Sequence, residues 1–343
     1  MRWRKYVKRL LIVLPILLIV LYFGVVPMRN KEIYLPGGIN AITDVVEIEG
    51  EKAAKGGFYS SYVTTIPKPS RLVHWFALTF LDGESVELSK SSEEASIFEL
   101  NAYSRETKKH SVLRSIIVAY TLADQVIEYD LNGVTIAFRD PSFPIYNSKI
   151  RVGYRIIGVN GSPVSSRQEL SEILRDLSSC KDIQLDVIDL DGNLKTMTVA
   201  GKASNPGCTL GIIALDYYEI DFQSTDPKIV SINDKGYGGS AGLLQTLMIY
   251  NKLVEEDITR GLKISGTGGI DIEGNVTAIS GIRQKVLGAI KGKVDVFFAP
   301  DLETNEGNLY EIAVQVRDEK KSDMVIVPVR HIQDAIDYLR SLP

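Results

Sequence analysis

With 343 residues, 45% of them hydrophobic and 24% charged, the chain is long enough to bury more than one core. A formal net charge of −4 excludes a nucleic-acid surface as its main business. Three histidines and two cysteines, nowhere at metal-ligand spacing, give no reason to expect a metal, and no motif asks for a cofactor.

Five basic residues (Arg2, Arg4, Lys5, Lys8, Arg9) precede an uncharged run from Leu10 to Met28. As a helix that run reaches roughly 28 Å, close to the ~30 Å hydrocarbon core of a bilayer. The basic cluster predicts a cytoplasmic N-terminus, with everything after residue 30 outside the cytosol. A cleaved signal peptide competes with this reading, but Val25-Val-Pro-Met-Arg-Asn30 offers no small-residue cleavage site. Residues 1–30 are therefore expected to be a cytoplasmic tip and a single-pass transmembrane anchor.

Residues 31–127 read as a β-rich arm followed by a helical segment. Val45–Ile48, Phe58–Thr65, His74–Leu81 and Ser85–Leu88 are the predicted strands, with Gly56-Gly57 and Asp82-Gly83 as turns. His74 sits in an apolar run beside Trp75, as a core or interfacial histidine does. From residue 91 the composition turns helical, opening at Ser92, Glu93 and Glu94, and Leu113, Ile116, Ile117 and Tyr120 form an apolar stripe.

Residues 128–202 form the next unit. Val134–Ala137 and Ile150–Gly161 are read as strands, the second ending in a Val-Asn-Gly turn. Ser166 and Glu169 have capping-box spacing before a helix with Leu170, Ile173, Leu174 and Leu177 on its apolar face. Asp191-Gly192 joins two further strands, Ile183–Leu190 and Lys195–Val199. This order resembles a PDZ domain, a fold that captures extended peptides at a sheet edge. Tyr154 stands where that family has an acidic residue and no carboxylate-binding glycine loop is evident, so peptide capture and a structural lid stay equally open. Cys180 and Cys208, 28 residues apart, pair if the unit is extracytoplasmic and are otherwise two buried thiols.

Residues 203–343 alternate strands (Leu210–Leu215, Val294–Ala299, Met324–Val329) with helices after Ser240, after Gly281 and at Ile332–Leu339, an α/β or α+β pattern. Within it, Gly236, Gly238, Gly239 and Gly242 surround Ser240, between the apolar Ile229–Ile232 and a helix-compatible run. A serine at such a turn is either a simple cap or a nucleophile beside unpaired backbone N–H groups. A second Gly-rich segment, Ile264-Ser-Gly-Thr-Gly-Gly-Ile270, and a helix opening at Ser280-Gly-Ile-Arg-Gln-Lys285 follow.

Here the sequence resembles the proteolytic domain of Lon-type proteases, and more closely the bacterial, membrane-anchored Lon-like PDZ proteases that include pheromone-processing members. Gly239-Ser240-Ala241-Gly242, Tyr250-Asn251, Asp257-Ile-Thr-Arg-Gly261, Gly266-Thr267-Gly268, Gly281-Ile282 and Gln284-Lys285 carry the resemblance. Gly239 replaces the family's usual proline. The resemblance implies a Ser240/Lys285 dyad, with Thr267 beside the lysine and Ser265 able to substitute for it. Backbone N–H groups of Ser240 and Ala241 would form the oxyanion hole, with Gly238 and Gly239 letting substrate approach. Lysine is a base only when neutral, which its neighbours Ile282, Val286, Leu287 and Ala289 favour; a pKa lowered from about 10.4 to roughly 8–9 is expected.

The full expectation is a multidomain α+β protein: transmembrane helix, β-rich arm, PDZ-like domain and Lon-type proteolytic domain. It would act as an extracytoplasmic serine endopeptidase on peptides or unfolded segments, without ATP because no G-x-x-x-x-G-K-[ST] loop occurs. A homo-oligomer stays open. Gly238-Gly-Ser240-Ala-Gly242 also satisfies G-x-S-x-G, so an α/β-hydrolase esterase using His331 and Asp301 is the first alternative. A membrane-tethered peptide-binding protein without catalysis is the second.

Overall fold

The computed structural model describes residues 2–236 and 238–343, and the side chains of these except at positions 2–10, 12 and 16. In chain order its main elements begin with helix α1 (Arg2–Val25), strands β1 (Lys31–Ala41) and β2 (Gly57–Pro67), helix α2 (Arg71–Phe80) and strand β3 (Glu84–Glu87). Helix α3 (Ile97–Leu122) leads into β4 (Val126–Arg139), β5 (Arg155–Val159), α4 (Arg167–Asp176), β6 (Ile183–Ile188), β7 (Leu194–Val199) and the long β8 (Ile212–Asp226). The remainder is α5 (Gly242–Leu253), β9 (Lys263–Gly266), α6 (Ile282–Lys291), β10 (Val296–Pro300), α7 (Leu309–Glu319), β11 (Val325–Val329) and α8 (Ile332–Ser341).

Among the described residues no helix is long and apolar enough to cross a membrane. The anchor expected at 10–28 falls on α1, where the side chains of the basic tip and the start of the apolar run lie outside the described residues. The helix ends at Val25, and Pro27 then bridges to Ser70.

Two sheets organise the body. One has the order β11-β10-β9-β2-β1-β3, with parallel pairing from β11 to β2 and antiparallel pairing beyond. Strands from the segment read as an arm thus continue the sheet built by the C-terminal residues, with Ile264 beside Phe58 and Ser265 beside Tyr59. The other sheet is antiparallel, in the order β8-β4-β5-β6-β7. Helix α4 packs beside it, its N-terminus capped by Ser166, which accepts from the Glu169 N–H as the capping-box spacing predicts.

Each layer has its own core. Val134, Ile156, Leu170, Leu185 and Val187 fill the second sheet's unit, which is stapled by a Cys180–Cys208 disulfide. On one side of the first sheet, α3 and α5 interleave Val112, Ile116, Leu243, Leu244 and Leu247. On the other, α6 and α7 pack Ile282, Val286, Phe297, Leu309 and Ala313.

Two local expectations are corrected. The run His74–Leu81, read as a strand from its aromatic content, is the C-terminal part of α2; Ser70 caps that helix by accepting from the Val73 N–H. The long helix of the next segment is nucleated at Ser96, which accepts from the Glu99 N–H, while Ser92–Glu94 lie in a separate short helix, Lys90–Glu94.

Candidate active site

Ser240 sits on the turn that enters α5, between Gly239 and the helix's first residue, Gly242. Gly238 has φ +78°, a backbone conformation that a side chain would strain, and it lets the loop reverse before the serine. Helix α3 holds this loop from behind. The Gly238 N–H donates to the Ser104 carbonyl at 2.8 Å, Ser111 Oγ donates to the Gly239 carbonyl at 3.2 Å, and Ser115 Oγ to the Gly242 carbonyl at 3.1 Å. A Cβ on Gly242 would come within 2.9 Å of the Ile270 backbone nitrogen and 3.1 Å of Ser111 Oγ, so only glycine lets α5, α3 and the second Gly-rich segment meet there.

The second Gly-rich segment leaves β9 and crosses the serine. The Ser240 carbonyl accepts from the Gly268 N–H at 2.9 Å and from Thr267 Oγ1 at 3.2 Å. Thr267 Oγ1 in turn accepts from Lys285 Nζ at 3.0 Å. Ser265, which could have taken that place, instead points to β2, where its Oγ donates to the Tyr59 carbonyl at 2.8 Å. Among the described residues, the backbone N–H groups of Ser240 and Ala241 have no hydrogen-bond partner and remain open to a ligand.

Lys285 lies in the first turn of α6. That turn is set by Gly281 at φ +70°, where a Cβ would meet Val63 at 3.0 Å and Tyr34 at 3.1 Å. The strands β1 and β2 therefore fix where the lysine enters the site. Ile282, Val286, Leu287 and Ala289 are buried in the core on α6, and only 4% of Lys285 is exposed. Burial with no opposing carboxylate pulls its pKa down to about 7. The depression exceeds the sequence expectation because the amine is almost completely desolvated.

Ser240 and Lys285 line one cleft of about 570 Å³, together with Gly238, Gly239, Thr277, Ser280 and Tyr34. Arg114 of α3 also lines it, and its buried Nε has no hydrogen-bond partner among the described residues. No histidine is among the cleft's lining residues. His331 instead caps α8, its Nδ1 accepting from the Gln333 N–H and its Nε2 bonded to the Glu273 carbonyl at 2.9 Å. Asp301 is committed to Asn308 and Arg330. His110 is buried against the Asp216 carbonyl, where burial pulls its pKa down to about 4. His74 binds Ser85 Oγ on the far side of the sheet edge.

Other residues of the sequence pattern are structural. Asn251 Oδ1 accepts from the Ile258 N–H at 2.8 Å, and Asp257 accepts from Thr259 and from the Lys55 N–H, so this motif ties α5 to the start of β2. The sequence reading missed Ser104, Ser111, Ser115 and Arg114. The signal for the three serines was a row of small polar residues on the helix face next to the apolar stripe; Arg114 had none.

Residues 234–340 match the family model of the Lon protease (S16) C-terminal proteolytic domain, a stretch containing Ser240, Thr267 and Lys285. This match marks residues 234–340 as a serine peptidase domain. It is a proteolytic domain of the Lon type, and its sheet is completed by strands β1, β2 and β3, outside the matched stretch. The chain is 30% identical over 125 residues to a Lon protease of Aster yellows witches'-broom phytoplasma, covering 36% of this chain and 14% of that protein. It is also 30% identical over 100 residues to a Lon protease of Desulfatibacillum aliphaticivorans, covering 29% and 11%. The chain thus spans only a small fraction of the length of these relatives. A PDZ domain of an SdrC-like protein from Listeria innocua is similar over 24% of this chain and 93% of that one, at 14% identity and a TM-score of 0.22.

Proposed function

We propose that this chain is a membrane-anchored, extracytoplasmic serine endopeptidase that cleaves peptides or unfolded segments without ATP, with Ser240 as nucleophile and Lys285 as general base. The observation that carries the reading is the Lys285 amine, buried, held by Thr267 Oγ1 at 3.0 Å and brought to a pKa of about 7 in the cleft that Ser240 lines. A neutral amine takes the Ser240 proton as Oγ attacks the scissile carbonyl. The oxyanion that forms is met by the open N–H groups of Ser240 and Ala241, with Gly238 and Gly239 allowing the backbone approach. The lysine ammonium then returns its proton to the leaving amine, and in the second half Lys285 deprotonates the water that hydrolyses the acyl-enzyme.

Extracytoplasmic placement is supported by the Cys180–Cys208 disulfide, which suits an oxidising compartment, and by the basic tip before α1. The PDZ-like unit would present substrate ends to the cleft. A groove between α4 and the start of β8, lined by Leu170, Leu174, Leu210 and Ile212, is the place for it. The esterase alternative loses support because His331 and Asp301 are both engaged away from Ser240.

The test is the full chain in vesicles, incubated with a diverse peptide library without nucleotide, with cuts read by mass spectrometry. Cuts should vanish in Ser240→Ala and in Lys285→Met. Lysine variants that still cut, alongside a dead His331→Ala, would overturn the dyad. Protease added to intact spheroplasts should digest residues beyond 30; digestion only after permeabilisation would reverse the topology.

A further inference from the structure

Helix α2 is apolar almost all the way round, yet the body of the protein covers only a narrow strip of it. Ala77 is buried and Arg71 and His74 are half-buried, while Leu72, Val73, Trp75, Phe76, Leu78 and Phe80 are all exposed, Trp75 by 56% and Phe80 by 61%. No acidic residue occurs in the helix. Six large apolar side chains in ten residues, spread over most of the circumference, make a surface that water does not favour. A protein partner docking on a helix covers one stripe, whereas a solvent that is itself apolar covers all exposed faces at once.

The position of α2 says which apolar solvent that is. The helix begins where α1 ends: the Met28 N–H donates to the Pro69 carbonyl at 2.8 Å, Pro27 bridges to Ser70, and the Arg71 guanidinium sits 4.7 Å from the centre of the Tyr22 ring. The apolar surface of α2 is therefore continuous with the exposed Leu17–Val25 stretch of α1. At ten residues α2 reaches about 15 Å, too short to span a bilayer and suited to lying along its surface. Trp75 and Phe76 are side chains favoured at that depth, and Arg29 and Arg71 at the junction face the level of anionic headgroups.

We infer that α2 lies in the outer lipid–water interface as a second membrane contact, seated beside the exit point of α1. The inference rests on α1 being the anchor. It carries a consequence for the enzyme: α2 packs on β1 and β3, at the end of the catalytic sheet, and Asp82 just after it pairs with Lys320 beyond α7. The bilayer would then hold the sheet itself, rather than leave the body swinging on a linker.

Trp75 supplies the probe, because Trp3 is the other tryptophan of the chain. The full chain carrying Trp3→Phe is reconstituted into vesicles of phosphatidylcholine and phosphatidylglycerol, and flotation establishes whether it is membrane-bound. If α2 lies in the interface, Trp75 emission is blue-shifted. It is also quenched by lipids brominated near the headgroup more than by lipids brominated at the chain ends, and shielded severalfold from iodide relative to the urea-unfolded protein. Vesicle-bound protein whose Trp75 stays fully open to iodide overturns the inference and leaves the anchor standing. Shielding from iodide without quenching by brominated lipid also overturns it, and assigns the face to a second copy of the chain. Protein that does not float overturns the anchor and this inference with it.

Discussion

If Lys285 is the general base, as proposed, a single desolvation bears on both the rate and the stability of the protein. Its pKa near 7, against 10.5 for the ordinary side chain, makes the amine half neutral at neutral pH. Turnover of a short peptide should accordingly rise with pH through an apparent pKa of about 7 and then level off; a rise centred near 10 would mean the amine is solvated when free enzyme meets substrate. The same shift has the opposite value for folding. Between pH 7 and 10.5 the unfolded chain holds a proton that the folded chain lacks, so wild-type stability should climb with pH across that window. Below it the penalty is fully present, at most ~5 kcal/mol. Lys285→Met removes the amine and keeps the stem, so thermal unfolding should show it more stable than wild type at pH 7 and below, the difference closing by pH 10.5. Thr267 is the other residue whose role separates cleanly. Thr267→Val keeps the shape and loses the 3.0 Å contact, and should lower kcat about tenfold or more with little change in KM, each tenfold being about 1.4 kcal/mol of misplaced base. Thr267→Ser should retain most of the rate; equal losses in both variants would mean that packing, not the hydroxyl, matters there.

Among the elements, α3 does the most that its own sequence does not announce. It buttresses the nucleophile loop through Ser104, Ser111 and Ser115, and at its N-terminal end Glu99 forms a two-pronged pair with Arg139 of β4, at 2.9 and 2.8 Å. Both side chains are largely buried, and Arg139 also donates to the Ile150 carbonyl at 2.6 Å. Glu99→Ala leaves that guanidinium without its counter-charge and should cost about 3–5 kcal/mol, read as a drop in unfolding midpoint. Glu99→Ala with Arg139→Met should recover much of the loss, because no unpaired charge then stays buried. Why so much of this was hidden in the sequence follows from the range of the contacts. Ser240, Thr267 and Lys285 stood out in the sequence because the resemblance to Lon-type domains rests on an ordered series of glycines and polar residues within one stretch of chain, and the structure brings Lys285 Nζ to Thr267 Oγ1 and Thr267 Oγ1 to the Ser240 carbonyl. The pairing of β2 with β9 joins Ser60 to Gly266, and no local periodicity reports a partner that far away. The run His74–Leu81 was misread as a strand because Trp, Phe and Thr suit a pleated surface equally well, while the Ser70 cap that marks the helix lies upstream of it.

In the molecule as a whole, the two sheets are joined by a ribbon rather than by a flexible tether. Strands β4 and β8 pair along most of their length, contributing Val134, Ile136 and Ala214 to the core of the second sheet's unit and Ile127, Tyr218, Ile220 and Phe222 to the core that also holds α3 and α5. Disturbance of the second sheet's unit can therefore reach α3 and the Ser240 loop along that ribbon and through the Glu99–Arg139 pair. The disulfide offers a way to disturb one side alone. Closing a loop of 28 residues restricts the unfolded chain by about 3.5 kcal/mol in the chain-entropy description, and the bridge lies wholly within the second sheet's unit. Reduction, or Cys180→Ala with Cys208→Ala, should lower the unfolding midpoint of that unit while leaving Ser240, Thr267 and Lys285 in place. If the unit delivers substrate ends, cleavage of long tailed substrates should fall under mild heating at a temperature where short-peptide cleavage is unchanged. Parallel loss of both activities would mean that the ribbon transmits the damage to the Ser240 loop, and that the second sheet's unit serves the site as scaffold.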